Sequence, residues 1–191
     1  NQLMLRLQTT LTAALREFLL EREFVEIHTP KLIAAASESG SEVFEVKYFD
    51  TKAYLAQSPQ FYKQMAMASG FERIFETGPV FRAEKSYTNK HSTEFSGFDL
   101  EFSYITSFKD VMKMEEELLT YMLKSVKEKY GEEIKELFGK EVIVPTTPFP
   151  VIKLADLYDE LEKEFGYTVP DSEKGDLTTD AERLSYDWVM K

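Results

Sequence analysis

Residues 78–104, GPVFRAEKSYTNKHSTEFSGFDLEFSY, constrain this chain more than any other stretch. Residues 73–84 and 94–105 both read as strands, the first broken locally at Gly78-Pro79, with a polar loop at 85–93 between them. A loop that short joins antiparallel neighbours, because parallel strands need a crossover of a dozen residues or more. Strand side chains alternate faces, so Phe98, Leu100, Phe102 and Tyr104 are expected in the core. Phe95, Gly97, Asp99, Glu101 and Ser103 share the opposite face, and Arg82 and Glu84 share a face on the partner strand. Pairing the strands gathers Arg82, Glu84, Phe95, Asp99 and Glu101 on one surface, with Lys90 and His91 in the loop. Such a surface reads in two ways. It is a solvated sheet face laced with cross-strand ion pairs, or it is a nucleotide site. In the second reading Arg82 offers a bidentate fork to a phosphate. Lys90 and His91 reach distal phosphates, Phe95 offers a flat ring to a base, and Gly97 marks close approach of a ligand. No Walker-type or dinucleotide fingerprint occurs in the chain.

The flanking segments place this hairpin in an α+β fold, an antiparallel sheet flanked by helices. Residues 3–22 have the helical repeat, with Leu7, Leu11, Ala14, Leu15, Phe18 and Leu19 on one stripe. Residues 24–28 switch to period two and end at Thr29-Pro30. A small polar loop at 34–41 precedes strands at 42–49 and 53–56. Ser58 as cap and Pro59 as first helical residue predict a helix to about Ser69. Gln60 and Lys63 then sit three apart on one helix face, with Gln57 just upstream. Alone, that face is ordinary polar surface. A long helix is expected from Phe108 to Tyr130, ended by Gly131, then a short one at 132–138. A Pro-rich connector at 145–150 follows, then a helix at 153–165. The last helix begins at Thr179, where Thr179 and Glu182 form a capping box.

Composition narrows the chemistry. With no cysteine and two histidines in 191 residues, disulfides, thiolate metal sites and a Cys nucleophile are excluded. A net charge of −11 opposes broad affinity for nucleic acid or an anionic membrane without excluding a local basic patch. No apolar run approaches the ~20 residues that span a bilayer. The chain starts at Asn1 and stops inside a helix-like run, so a piece of a longer protein is expected.

Read together, these segments resemble the catalytic domain of a class II aminoacyl-tRNA synthetase of subclass b, the aspartyl type of archaea and eukaryotes above all. FVEIHTPKL at 24–32 resembles motif 1, and GPVFRAE with HSTEFSGFDLE, within 78–104, resembles motif 2. ASESGSEVF and AYLAQSPQFYKQ resemble the flipping loop and the amino-acid specificity helix. The resemblance makes residues 1–191 a partial, truncated class II catalytic domain, without motif 3 or the anticodon-binding domain. It also implies a cytoplasmic, homodimeric ligase, paired through the motif 1 region. Its substrates would be L-aspartate, ATP with Mg²⁺ and tRNA(Asp), with no metal ligand in this chain.

The same resemblance assigns roles. Arg82, the catalytic residue, would bridge the aspartate α-carboxylate and the ATP α-phosphate. Glu84 and Phe95 would hold adenine, and Lys90, His91 and Ser92 the distal phosphates. Lys63 would pair with the substrate side-chain carboxylate, Gln57 and Gln60 would line the amino-acid pocket, and Glu38 and Asp99 would receive the ammonium. Lys90 stands where the family usually has Arg, and Ser39 where it commonly has Gly. Three alternatives accompany this reading: an asparaginyl-tRNA synthetase, an asparagine-synthetase-like paralogue, and a non-catalytic aspartate- or partner-binding module.

Overall fold

The structure, a computed structural model, describes residues 2–35, 43–83 and 92–190. They form two compact units that part at Thr147 and Pro148, inside the expected Pro-rich connector.

The first unit begins with helix α1 (Gln2–Leu20), whose buried stripe of Ala14, Leu15, Phe18 and Leu19 follows the helical repeat. Strands β1 (Val25–Glu26), β2 (Leu32–Ile33), β3 (Glu45–Tyr48) and β4 (Thr51–Leu55) precede helix α2 (Gln60–Ala68). Strands β5 (Arg73–Phe81) and β6 (Glu94–Phe102) make the expected antiparallel pair, and helix α3 (Phe108–Phe138) follows. One sheet has the order β1-β5-β6, with β1 parallel to β5, and the other is antiparallel in the order β2-β4-β3. Phe75, Leu100 and Phe102 face α1 and α3 and complete the main core with Phe24, Leu118 and Met122. Arg16 stitches the layers, donating to Glu26 at 3.0–3.1 Å and to Thr77 at 2.7 Å. Its guanidinium holds the Glu26 carboxyl below the usual range, against the opposing effect of burial.

Several expectations need correction. Gly78-Pro79 does not break β5, because Gly78 pairs with Gly97 and Pro79 with Ser96. Arg82 N donates to Thr93 on the β6 side and Phe81 N to Ala56 on the other. By this alternation, the position of Pro79 points its missing N–H away from β6, where β1 has already ended. Proline is tolerated in a strand at such a place.

Phe98 and Tyr104 are not core residues: they are 45% and 85% exposed. Tyr104 has φ 60°, so the chain turns out of the strand before it. Phe98 lines an open apolar groove with Ile105, Val111 and Leu119.

Gly131 does not end the long helix, and no separate helix starts at 132: α3 runs through to Gly139, which adopts φ 63°. Tyr130 and Ile134, on either side of Gly131, pack with Leu3, Leu7 and Val126. Burying them outweighs the ~1 kcal/mol that a helical Gly costs relative to Ala. Helix α2 starts one residue later than expected, with Pro59 in the cap position and Ser58 Oγ accepting from Gln60 N at 3.3 Å.

In the second unit, α4 (Leu154–Phe165) and α5 (Thr179–Val189) enclose a small core of Leu157, Leu161, Val169 and Ala181. Thr178, not Thr179, caps α5. Its extended backbone lets Oγ1 accept from Ala181 N at 3.0 Å, and the same oxygen meets the Tyr167 hydroxyl at 2.8 Å.

Two stability experiments follow from the long helix. A Cβ at Gly131 would meet only Lys127 Cγ at 3.5 Å, an ordinary contact. Gly131→Ala should therefore stabilise the chain by about 0.5–1 kcal/mol in urea unfolding; a loss would mean the helix is interrupted there after all. At the start of α3, Asp110 accepts from the backbone N–H groups of Thr106 (2.8 Å) and Ser107 (3.1 Å) and from Thr106 Oγ1 (3.1 Å). These bonds, the Thr106 amide first, hold its carboxyl below the usual range. A depressed carboxyl stabilises the fold above its unfolded value, and the effect is lost as pH falls through the folded value. Asp110→Asn should lower the melting temperature at pH 7, with the gap from wild type closing in acid.

Candidate active site

The β5–β6 register assembles the site. Pairing Glu76 with Asp99, Gly78 with Gly97 and Val80 with Phe95 puts these residues on the sheet face away from α1 and α3. Helix α2 lies across that face. Its Lys63 is 4% exposed and reaches back to the strands, paired to Asp99 and, at 3.1 Å, to Glu101 Oε2. Burial alone pulls the Lys63 ammonium down in pKa. The two carboxylates outweigh burial and leave it raised, so the lysine is cationic at neutral pH.

The other end of the face is set by a backbone relay. Ala56 N donates to the Lys31 carbonyl at 2.9 Å, and Phe81 N donates to the Ala56 carbonyl at 2.9 Å. This relay ties the second sheet to the end of β5 and brings the fully buried Gln57 beside Arg82. Arg82 Nε lies 3.5 Å from the Gln57 carbonyl oxygen, and its guanidinium carbon sits 5.6 Å from the centre of the Phe95 ring. Phe95 is 38% exposed, so its ring is open to a stacking partner.

Of the residues singled out in the sequence, the structure brings Lys63, Asp99, Arg82, Phe95 and Gln57 onto or beside one face. Gln60 is half-buried, one turn before Lys63 on α2, and Ser92 is exposed just ahead of β6. Glu38, Glu84, Lys90 and His91 lie outside the described residues. Two polar residues of the face, Glu76 and Lys31, escaped the sequence reading of the site, and Glu101, which that reading puts on the face, gains a partner here. Glu101 shares Lys63 with Asp99. Glu76 is 3% exposed and accepts from Thr29 N and Thr29 Oγ1, both at 2.7 Å, and Lys31 pairs with it at 3.0 Å. Glu76 was within reach of the same alternation, since it stands six residues before Arg82 on one strand. Among the described residues, no cluster of His, Asp or Glu is arranged to hold a metal.

Residues 1–191 match the family described as tRNA synthetases class II (D, K and N). The chain belongs to this family. Among curated relatives of this class II synthetase chain is an aspartate–tRNA(Asp/Asn) ligase of Methanopyrus kandleri. It is 47% identical over 182 residues, 95% of this chain and 41% of the relative. The aspartate–tRNA(Asp) ligase of Pyrococcus abyssi is 40% identical over 97% of this chain and 42% of its own length. The synthetase chain thus spans about two-fifths of the curated relatives it matches. The solved asparaginyl-tRNA synthetase of Pyrococcus horikoshii, complexed with asparaginyl-adenylate, superposes with a TM-score of 0.85. It is 36% identical over 96% of this chain and 42% of that one. An aspartyl-tRNA synthetase of Entamoeba histolytica gives 0.77 at 34% identity, covering 98% of this chain and 35% of that one. The class II synthetase fold expected from the motifs is the one observed.

Lys63→Met would leave Asp99 and Glu101 facing each other without their cation. Breaking a fully buried pair costs about 3–5 kcal/mol. Both acids are about a third exposed, so solvent screening reduces the expected loss to about 1–3 kcal/mol. A raised lysine pKa stabilises the fold below the unfolded value and is lost only above it. Denaturant unfolding should therefore show a constant deficit from pH 7 to 9, shrinking above pH ~10.4.

Proposed function

We propose that this chain is the amino-acid-activating part of an aspartate–tRNA ligase. The observation that carries the reading is Lys63, a buried cation held by Asp99 and Glu101 on the face that also carries Arg82 and Phe95. Arg82 bridges the aspartate α-carboxylate and the α-phosphate of ATP, and Phe95 stacks on adenine. Lys63 turns from Asp99 to the substrate's side-chain carboxylate, and Asp99, so released, receives the α-ammonium. Gln57 and Gln60 line the amino-acid end, with Glu38 supplying a second acceptor for the ammonium. Glu84 contacts adenine, and Lys90, His91 and Ser92 bind the distal phosphates.

The aspartate carboxylate is ionised at neutral pH and needs no general base. One of its oxygens attacks the α-phosphorus, the bond to the β-phosphate oxygen breaks, and aspartyl-adenylate and pyrophosphate result. Arg82 neutralises charge that builds on the α-phosphate oxygens, the electrostatic contribution that dominates such transfers. A hydroxyl at the 3′ end of tRNA(Asp) then attacks the aspartyl carbonyl carbon, forming the ester as the acyl–phosphate bond breaks and AMP leaves. The described acids on this face are occupied by lysines and do not suit Mg²⁺, so the ion belongs here only as the partner of ATP. Pairing through the 24–32 segment and a cytoplasmic setting complete the proposal. No helix among the described residues is long and apolar enough to cross a membrane.

Selectivity follows from Lys63. Asparagine would bring no carboxylate to the buried Lys63 ammonium, which would keep only its protein carboxylates, so the charge match that favours aspartate would be lost. The superposition on an asparaginyl enzyme favours a second reading, asparagine activation, which has no use for a cation at that position.

Calorimetric titration with non-hydrolysable aspartyl- and asparaginyl-adenylate analogues separates the two. The aspartyl analogue should bind saturably and at least ~100-fold more tightly, about 2.7 kcal/mol. Arg82→Ala should abolish that binding. Preference for the asparaginyl analogue would overturn the assignment.

A further inference from the structure

We propose that Glu76 is a positioning residue for the amino acid, acting by holding Lys31 away from Asp99. The inference rests on the aspartate-activating reading above, and in particular on Asp99 as acceptor of the substrate ammonium.

Glu76 stands directly opposite Asp99 in the β5–β6 ladder, on the same face. Two carboxylates placed so would repel each other. Each instead has its own lysine: Lys63 pairs with Asp99, and Lys31 with Glu76 at 3.0 Å. Glu76 is 3% exposed, and both its oxygens are used. Oε1 accepts from Thr29 N and Lys31, and Oε2 accepts from the Thr29 hydroxyl. The Thr29 hydroxyl also accepts from Lys31 Nζ at 3.0 Å, closing a triangle of three side chains. Lys31, Glu76, Gly78, Gly97 and Asp99 line one narrow cleft. Gly78 borders the Lys31 side chain: a Cβ there would meet Lys31 Cε at 3.5 Å, an ordinary contact.

Lys31 is thus a flexible cation in the same cleft as Asp99, and its ammonium is neutralised by Glu76. If Glu76 loses its charge, Lys31 becomes free to pair with Asp99 and to compete with the substrate ammonium. This effect is specific to the amino acid, because Arg82 and Phe95 at the nucleotide end touch neither Lys31 nor Glu76 in any contact described. It also has a sign that simple disruption lacks. Removing Glu76 should harm aspartate binding, removing Lys31 should not, and removing both should repair the harm.

The test is aspartate-dependent ATP–pyrophosphate exchange by the complete gene product, with Glu76→Gln, Lys31→Met and the double variant. Glu76→Gln should raise KM for aspartate by roughly tenfold, the factor that accompanies about 1.4 kcal/mol, with KM for ATP unchanged. Lys31→Met should leave KM for aspartate unraised, and the double variant should return it to within about twofold of wild type. If Glu76→Gln does not fold, Lys31→Met still decides: an aspartate KM raised by that variant sinks the idea. Parallel rises in both KM values, or no repair in the double variant, would assign Glu76 a purely structural role. Wild-type protein without aspartate-dependent exchange would overturn the functional reading and this inference together. Wild-type exchange with an unaltered Glu76→Gln aspartate KM would overturn the inference alone.

Discussion

The unbroken ladder from Arg73 opposite Phe102 to Phe81 opposite Glu94 sets which side chains share a face, and the rest of the first unit is arranged around it. A slip of β5 by one residue would send Glu76 into the α1–α3 core and bring Phe75 out to α2. Phe75 is 1% exposed, so the cost of such a slip is dominated by burial, and the hydrophobic face pins the polar one. The site is therefore held in place by the core on the other side of the sheet.

Charge on that face is arranged in matched pairs. Lys63 answers Asp99 and Glu101, and Lys31 answers Glu76. With the Arg16–Glu26–Thr77 cluster, these links tie α1, the 24–31 segment, α2 and the hairpin into one framework. The buried members matter most, because little water reaches them to screen their interactions. A net charge of −11 thus coexists with a buried cation: Lys63 is 4% exposed between its acids, and much of the excess acid is spread over exposed helices.

Helix ends show how local signals yield to packing. Ser58 and Thr179 are both good cap residues, yet the caps fall at Pro59 and Thr178. At α5 the residue that turns extended is Thr178, whose hydroxyl also meets Tyr167. Gly131 is a good stop signal, yet Ile134 is worth more buried than the glycine costs in a helix.

Alternation and turn chemistry alone determined the hairpin, the face shared by Arg82, Phe95, Asp99 and Glu101, the α1 stripe and the α+β class. These depend on spacing along one chain, which a sequence displays directly. The motifs within 24–104 were also enough to reveal the family. Only the tertiary structure decided that Lys63 is buried between two acids, that Gly78-Pro79 continues the strand, that Phe98 and Tyr104 are exposed, and that Glu76 is tied to Thr29 and Lys31. Those facts depend on which segments distant in sequence lie against each other. Glu76 and Lys31 are 45 residues apart, and no local pattern marks them as partners.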